Sequence, residues 1–336
     1  MVQEPAARGC YSLGKRFMDA IILFSHGSLL CGSGEALWGH ARRLQARRCA
    51  PIVEVGYLNY SEPPFTQAVE SVVAAGATRV VVTPYFLAPG KFVTVDLPQA
   101  VKAARVAHSS IEFVESEAIG YDERLADALI DSARHAFGQA AWREDMRRAS
   151  AQCRHNPDCP LYGTPACPKQ PPTPACANRG GIATVTPTGD SDVAVHSGPR
   201  EIITDGNRPA LLIMVHGSPR ATANQDMFRV VESIQKRAVF PIVQVGFLEC
   251  NEPDIPTAIE LCAEQGATEV IGVPYFLHTG THVADDLPTL FERAREQYPN
   301  IEFRMGEYLG RSERLTDILE DRAQAATAEF QLFMTP

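Results

Sequence analysis

One feature limits what this chain can fold into more than any other: it repeats itself at a fixed offset. Sliding the sequence by 190 residues places Ser25-His26-Gly27-Ser28 on Val215-His216-Gly217-Ser218. Pro51-Ile52-Val53 then falls on Pro241-Ile242-Val243, and Pro84-Tyr85-Phe86-Leu87 falls on Pro274-Tyr275-Phe276-Leu277. Between 21–98 and 211–288, 28 of 78 positions are identical without a gap. The register continues through Ile111-Glu112-Phe113 with Ile301-Glu302-Phe303, and through Glu123-Arg124-Leu125 with Glu313-Arg314-Leu315. A repeat of this length is a duplicated domain, so the two halves must share one topology. We place the first copy at 17–138 and the second at 210–330, with 139–209 between them.

Each copy alternates short apolar runs with segments of helical spacing. Met18–Phe24, Pro51–Leu58, Arg79–Thr83 and Ile111–Glu115 read as strands, as do Leu211–Val215, Pro241–Leu248, Glu269–Val273 and Ile301–Arg304. Helices are expected between them, one starting at Ser61-Glu62-Pro63 or Asn251-Glu252-Pro253 and ending near Gly76 or Gly266. A further helix opens at each Asp-Leu-Pro, at Asp96 and Asp286. Apolar strands alternating with helices predict an α/β fold, a four-stranded parallel sheet flanked by helices in each copy. In such sheets ligands bind outside the carboxyl ends of the strands.

Composition agrees with two globular units: 45% of residues are hydrophobic and 21% charged. No apolar run reaches the ~20 residues that span a bilayer. Residues 1–17 hold no apolar block of signal-peptide type, so the cytoplasm is the expected compartment. The formal charge of −9 argues against non-specific nucleic-acid binding. Rossmann and P-loop fingerprints are absent, and no Gly-x-Ser-x-Gly elbow surrounds Ser28 or Ser218. Phosphohistidine chemistry wants Arg before His-Gly, where Ser25 and Val215 stand instead. The middle segment is rich in Pro, Gly and Thr and carries Cys153, Cys159, Cys167 and Cys176. Four thiolates suit zinc or an iron–sulfur cluster, but the spacing matches no compact CxxC pattern, and a cysteine-bearing linker is the competing reading.

Duplication allows the copies to be compared with each other. His216, Glu249 and His282 each follow a strand of the second copy, at one carboxyl edge; their first-copy counterparts are His26, Asn59 and Phe92. Taken singly, His216, His282 or His26 would be a polar loop residue, and Glu249 a capping carboxylate, for which Glu252 is the better candidate. Two imidazoles and a carboxylate together suit a divalent metal such as Co²⁺, Fe²⁺ or Ni²⁺, or proton removal. His278, four residues before His282, is an accessory ligand if that segment turns helically.

The ordered motifs Val-His-Gly-Ser from Val215, Gly-Phe-Leu-Glu-Cys-Asn-Glu-Pro from Gly246, and Pro-Tyr-Phe-Leu-x-x-Gly-x-His-Val-x-x-Asp-Leu-Pro from Pro274 resemble the CbiX/SirB class II tetrapyrrole chelatases. The resemblance covers both copies and implies two tandem chelatase-like (flavodoxin-like) domains. It implies insertion of Co²⁺ or Fe²⁺ into sirohydrochlorin, with His216, Glu249 and His282 serving the metal and only His26 carrying over to the first copy. Asn59 and Phe92 depart from the pattern. On this reading the first copy forms the opposite wall of a cleft and Phe92 offers the macrocycle an apolar face; Lys91 and Arg220 are candidates to meet its carboxylates, with an ordinary solvated surface residue the slightly favoured reading of each. Ser218 either donates to a propionate or caps the following helix, and capping is favoured because Ser28 repeats it. Neutral imidazoles are required, so activity should fall below the ordinary histidine pKa of about 6.5. A non-catalytic tetrapyrrole or metal carrier is the alternative. A fused pair also replaces a dimer, so a monomer with pseudo-twofold domains is expected.

Overall fold

The computed structural model describes residues 19–28, 33–138, 140–143, 145, 206–220 and 222–334. The first copy runs β1 (Asp19–Ser25), α1 (Glu35–Ala46), β2 (Ile52–Tyr57), α2 (Phe65–Ala74), β3 (Arg79–Pro84), α3 (Leu97–Ala107), β4 (Glu112–Glu115) and α4 (Glu123–Arg134). The second runs β5 (Pro209–Val215), α5 (Gln225–Lys236), β6 (Ile242–Phe247), α6 (Ile255–Glu264), β7 (Glu269–Pro274), α7 (Leu287–Gln297), β8 (Glu302–Met305) and α8 (Arg314–Met334). Both sheets are wholly parallel, in the orders β2-β1-β3-β4 and β6-β5-β7-β8. The expected α/β class and the four strands per copy are what the chain forms.

Side-chain alternation assigns each sheet two buried faces. In β1, Ile21 and Leu23 face one cluster while Ala20, Ile22 and Phe24 face another. In β5, Leu211, Ile213 and Val215 join that first cluster, and Ala210, Leu212 and Met214 face a third. The inner faces of both sheets therefore share one core, while α2 with α3 and α6 with α7 cover the outer faces.

The copies also exchange their last helices. Helix α4 packs on β7 of the second sheet, and α8 packs on β3 and β4 of the first. Ser132 on α4 donates to the Glu307 carbonyl at 2.7 Å. Gly306 permits this approach, since a Cβ there would lie 2.5 Å from Ser132 Oγ. Arg322 on α8 reciprocates by donating to the carbonyls of Ala118, Ile119 and Tyr121. Neither half is thus closed without the other, which the repeat register did not reveal.

Two local readings change. Pro63 and Pro253 follow cis peptide bonds ahead of their helices, which start at Phe65 and Ile255. The cap of α6 is Asp254, accepting from the Thr257 amide at 2.8 Å, while Glu252 accepts from the Asp254 amide. Trp142, assigned to the linker, is fully buried in the second copy's outer core. Among the described residues, no helix is long and apolar enough to cross a membrane.

Candidate active site

The site grows from three loops at the carboxyl edge of the second sheet. Gly217, at φ +92°, turns the chain directly after β5, and a Cβ there would sit 1.9 Å from the Glu249 carbonyl oxygen. Glycine's freedom at positive φ is what lets these loops touch. The Glu249 amide then donates to the His216 carbonyl at 2.9 Å. Asn251 closes the junction, its side chain accepting from the Ser218 amide at 2.7 Å and from Asn224 at 3.1 Å.

His282 was expected in a loop. It instead opens a π-helical turn, His282–Asp286, that leads into α7. Its Nδ1 lies 2.7 Å from Asp286 Oδ2. An ionised carboxylate only accepts, so Nδ1 carries a proton, and in the neutral ring this leaves the lone pair on Nε2. His216 behaves likewise: Nδ1 donates to the Gly217 carbonyl at 3.2 Å. The two rings stand edge to face, their centroids 5.0 Å apart and their planes at 79°. In their neutral form, two imidazoles whose Nδ1 atoms are held by acceptors make a pair able to take a cation or accept protons.

Glu249 lies exposed on the neighbouring loop, joined to His216 through the backbone. Among the described residues, no three His, Cys, Asp or Glu side chains converge as a ready-made metal cage. The pair is therefore an open, two-imidazole arrangement with a nearby carboxylate.

His278 is placed differently from the accessory ligand expected of it. Its Nδ1 faces the Ser33 carbonyl at 3.1 Å, which accepts only, so Nδ1 donates. Its Nε2 accepts from Ser25 Oγ at 2.8 Å. With both nitrogens engaged by the first copy, no lone pair is left for a metal.

The first copy presents a different surface at the matching edge. His26 keeps the backbone anchor, with Nδ1 donating to the Gly27 carbonyl at 3.1 Å. Its ring packs against Phe92, 4.3 Å between centroids, and against exposed Tyr60 at 5.6 Å. Phe92 also stacks with Phe86 at 6.0 Å. Lys91 pairs with Asp96 at 2.9 and 3.1 Å, so the carboxylate that orients His282 in one copy holds an ammonium in the other. An open groove of about 500 Å³, lined in part by Asn59, Lys91, Phe92 and Asp96, lies beside this turn rather than at the histidine pair.

Arg220 is exposed, and its amide donates to Ser218 Oγ at 3.2 Å. Ser218 thus closes a local turn; it does not cap α5, which begins at Gln225 with Asn224 before it. Cys153, Cys159, Cys167 and Cys176 lie outside the described residues. Asp286 is the residue that sequence reasoning missed, because Asp-Leu-Pro reads as a helix start; its spacing of four from His282 was the available signal.

A family model described as CbiX matches residues 20–136 and again 210–326, well over half of the chain. The chain belongs to the CbiX family. A sirohydrochlorin cobaltochelatase of Priestia megaterium is 23% identical over 273 residues, covering 81% of this chain and 69% of that protein. A sirohydrochlorin cobaltochelatase of Methanocaldococcus jannaschii is 33% identical over 146 residues, 36% of this chain and all of that protein. A sirohydrochlorin ferrochelatase of Priestia megaterium is 37% identical over 113 residues, 34% of this chain and 42% of that protein. Among solved structures, SirB from Bacillus subtilis with Fe³⁺ matches with a TM-score of 0.63 at 16% identity, over 93% of this chain and 97% of that one. This CbiX-family chain accordingly has the fold of a chelatase with both lobes present.

Proposed function

We propose that this chain inserts a divalent metal, Co²⁺ or Fe²⁺, into sirohydrochlorin. The carrying observation is the His216–His282 pair, with ring centroids 5.0 Å apart and each Nδ1 held by an acceptor, in a chain of the CbiX family. Metal insertion needs a metal-donor face and a base for the two pyrrole protons that leave. Imidazole Nε2 serves either task, and Glu249 on the adjoining loop accepts protons and offsets positive charge. The metal is a substrate here, delivered and released.

The first copy supplies the opposite wall, where Phe92 offers its face to the macrocycle and His26 backs that ring. Sirohydrochlorin is a polycarboxylate, and the chain carries a net charge of −9, so positive charge must be concentrated locally. Exposed Arg220 and Lys91 are assigned this task, Ser218 lends its hydroxyl to a propionate, and Lys91 would leave Asp96 to take part. We assign a monomer, since the shared core and exchanged helices supply the pairing that a single copy lacks. Free thiols at Cys49, Cys250 and Cys262 suit a reducing cytoplasm. Zinc or an iron–sulfur cluster at Cys153, Cys159, Cys167 and Cys176 is proposed on composition alone, and metal analysis of purified protein tests it.

The test is insertion into sirohydrochlorin followed by the absorbance of the macrocycle, with Co²⁺, Fe²⁺ and Ni²⁺ in parallel. Turnover with Co²⁺ or Fe²⁺ supports the reading. Tight macrocycle binding with no insertion by any metal would make the protein a carrier.

A further inference from the structure

The turn bearing His282 is gripped on both sides by residues that precede the second copy. Before it, Tyr85 at the end of β3 directs its hydroxyl to the Leu277 and Gly310 carbonyls, both at 3.3 Å. His278 follows, bonded to Ser25 at the end of β1 and to the Ser33 carbonyl, its ring 5.2 Å edge-to-face from Tyr85. Directly after His282, the Val283 carbonyl accepts from Trp142 Nε1 at 3.2 Å, and both residues are fully buried. The pseudo-symmetric turn has no such His–Ser clip, because Ala88 stands at the position of His278 and Val215 at that of Ser25.

We propose that His278 and Trp142 are positioning residues, a two-point clamp by which the first half of the chain sets the place of His282. The clamp explains why a copy lacking counterparts of Glu249 and His282 accompanies the complete one. A rigid mount matters because a displacement of ~1 Å at a reacting group can cost about a hundredfold in rate. His282 opens a π-helical turn, a local form frequent at functional sites. The clamp rests on the proposed metal-handling role of His282, and its test is therefore read both with and without the macrocycle.

The experiment compares His278→Ala, His278→Gln, Tyr85→Phe and Trp142→Phe with wild type in the full chain. Co²⁺ titration without macrocycle, read by the visible d–d band, reports the histidine pair directly. Steady-state insertion then separates kcat from KM for the macrocycle, and thermal melting reports folding. In His278→Ala we expect Co²⁺ affinity and kcat each lowered about tenfold, with KM for the macrocycle unchanged and partial recovery in His278→Gln. Trp142→Phe and Tyr85→Phe should shift the same two readings by smaller factors. A lowered melting point with Co²⁺ affinity and kcat within twofold of wild type would overturn the clamp, leaving these residues as plain interface. Loss of Co²⁺ binding as complete as in His282→Ala would also overturn it, making His278 a ligand. Failure of insertion by wild type with intact Co²⁺ binding would instead count against the insertion reading and leave the clamp to be judged on the titration.

Discussion

His282 Nδ1 lies 2.7 Å from Asp286 Oδ2, one turn away on the same π-helical segment. That contact makes Nδ1 the hydrogen-bond donor to Asp286, so in the neutral ring Nε2 is the atom with a lone pair to offer. Carboxylate partners of this kind usually hold ring orientation and basicity, and losing them costs roughly 10–100-fold in metal affinity or activity. Asp286→Ala should therefore lower insertion activity by about that range, and Asp286→Asn, which still accepts a hydrogen bond, by less. Steady-state insertion rates compare the two; equal loss in both would place the effect in folding rather than orientation.

The pair itself should be indispensable. His216→Ala and His282→Ala are each expected to reduce insertion at least about a hundredfold, the scale of losing a positioned base or donor. Glu249→Gln should cost less, on the order of tenfold, because its carboxylate stands on the neighbouring loop outside any three-residue cluster. His26→Ala should have a much smaller effect than His216→Ala, since its ring is packed against Phe92 rather than a second histidine. Equal losses at His26 and His216 would mean that the first copy shares in catalysis.

Phe92 separates substrate binding from metal handling. Phe92→Ala should raise KM for the macrocycle by roughly 2–10-fold, the scale of one aromatic contact, with Co²⁺ affinity unchanged. Phe92→Tyr should restore binding. An unchanged KM in Phe92→Ala would remove this residue from the macrocycle site.

Gly217→Ala tests the loop junction. The new Cβ would meet the Glu249 carbonyl at 1.9 Å in a left-handed backbone, so the His216 and Glu249 loops must separate. Activity should fall tenfold or more, while β5 and the shared core remain, as judged by circular dichroism and a melting point within several degrees of wild type.

Stability should depend on pH through His40. This residue is fully buried on α1, its Nε2 donating to the Gly310 carbonyl and its Nδ1 accepting from Thr316 Oγ1, both at 2.8 Å. Burial chiefly, with Arg43, His278 and Arg47 adding repulsion, lowers its pKa to about 3. The unfolded chain binds a proton near pH 6.5 that the folded one refuses until about 3. His40 therefore imposes no penalty above pH 6.5, and stability is lost as pH falls through this window, by up to ~1.4 kcal/mol per pH unit. Urea midpoints measured between about pH 7 and pH 4 should show the slope, and His40→Asn should flatten it.

The duplication, the parallel α/β class and the residues at the strand ends are legible in the linear chain, because each is written in local order. Strand alternation needs only neighbouring residues, and a copied motif needs only a register. His216, Glu249 and His282 stood out for the same reason: at a fixed offset the first copy keeps His26 but carries Asn59 and Phe92 in place of the other two. What those residues meet is set by packing between distant segments. Helix exchange places α4 and α8 under the opposite sheets, and no periodicity distinguishes one apolar sheet face from another. His278 reads in sequence as one more histidine near His282, yet its nitrogens are taken by Ser25 and Ser33, roughly 250 residues away in the chain. Whether an imidazole donates to a metal or ties two lobes together depends on which acceptor lies within about 3 Å, and only the packed fold sets that distance.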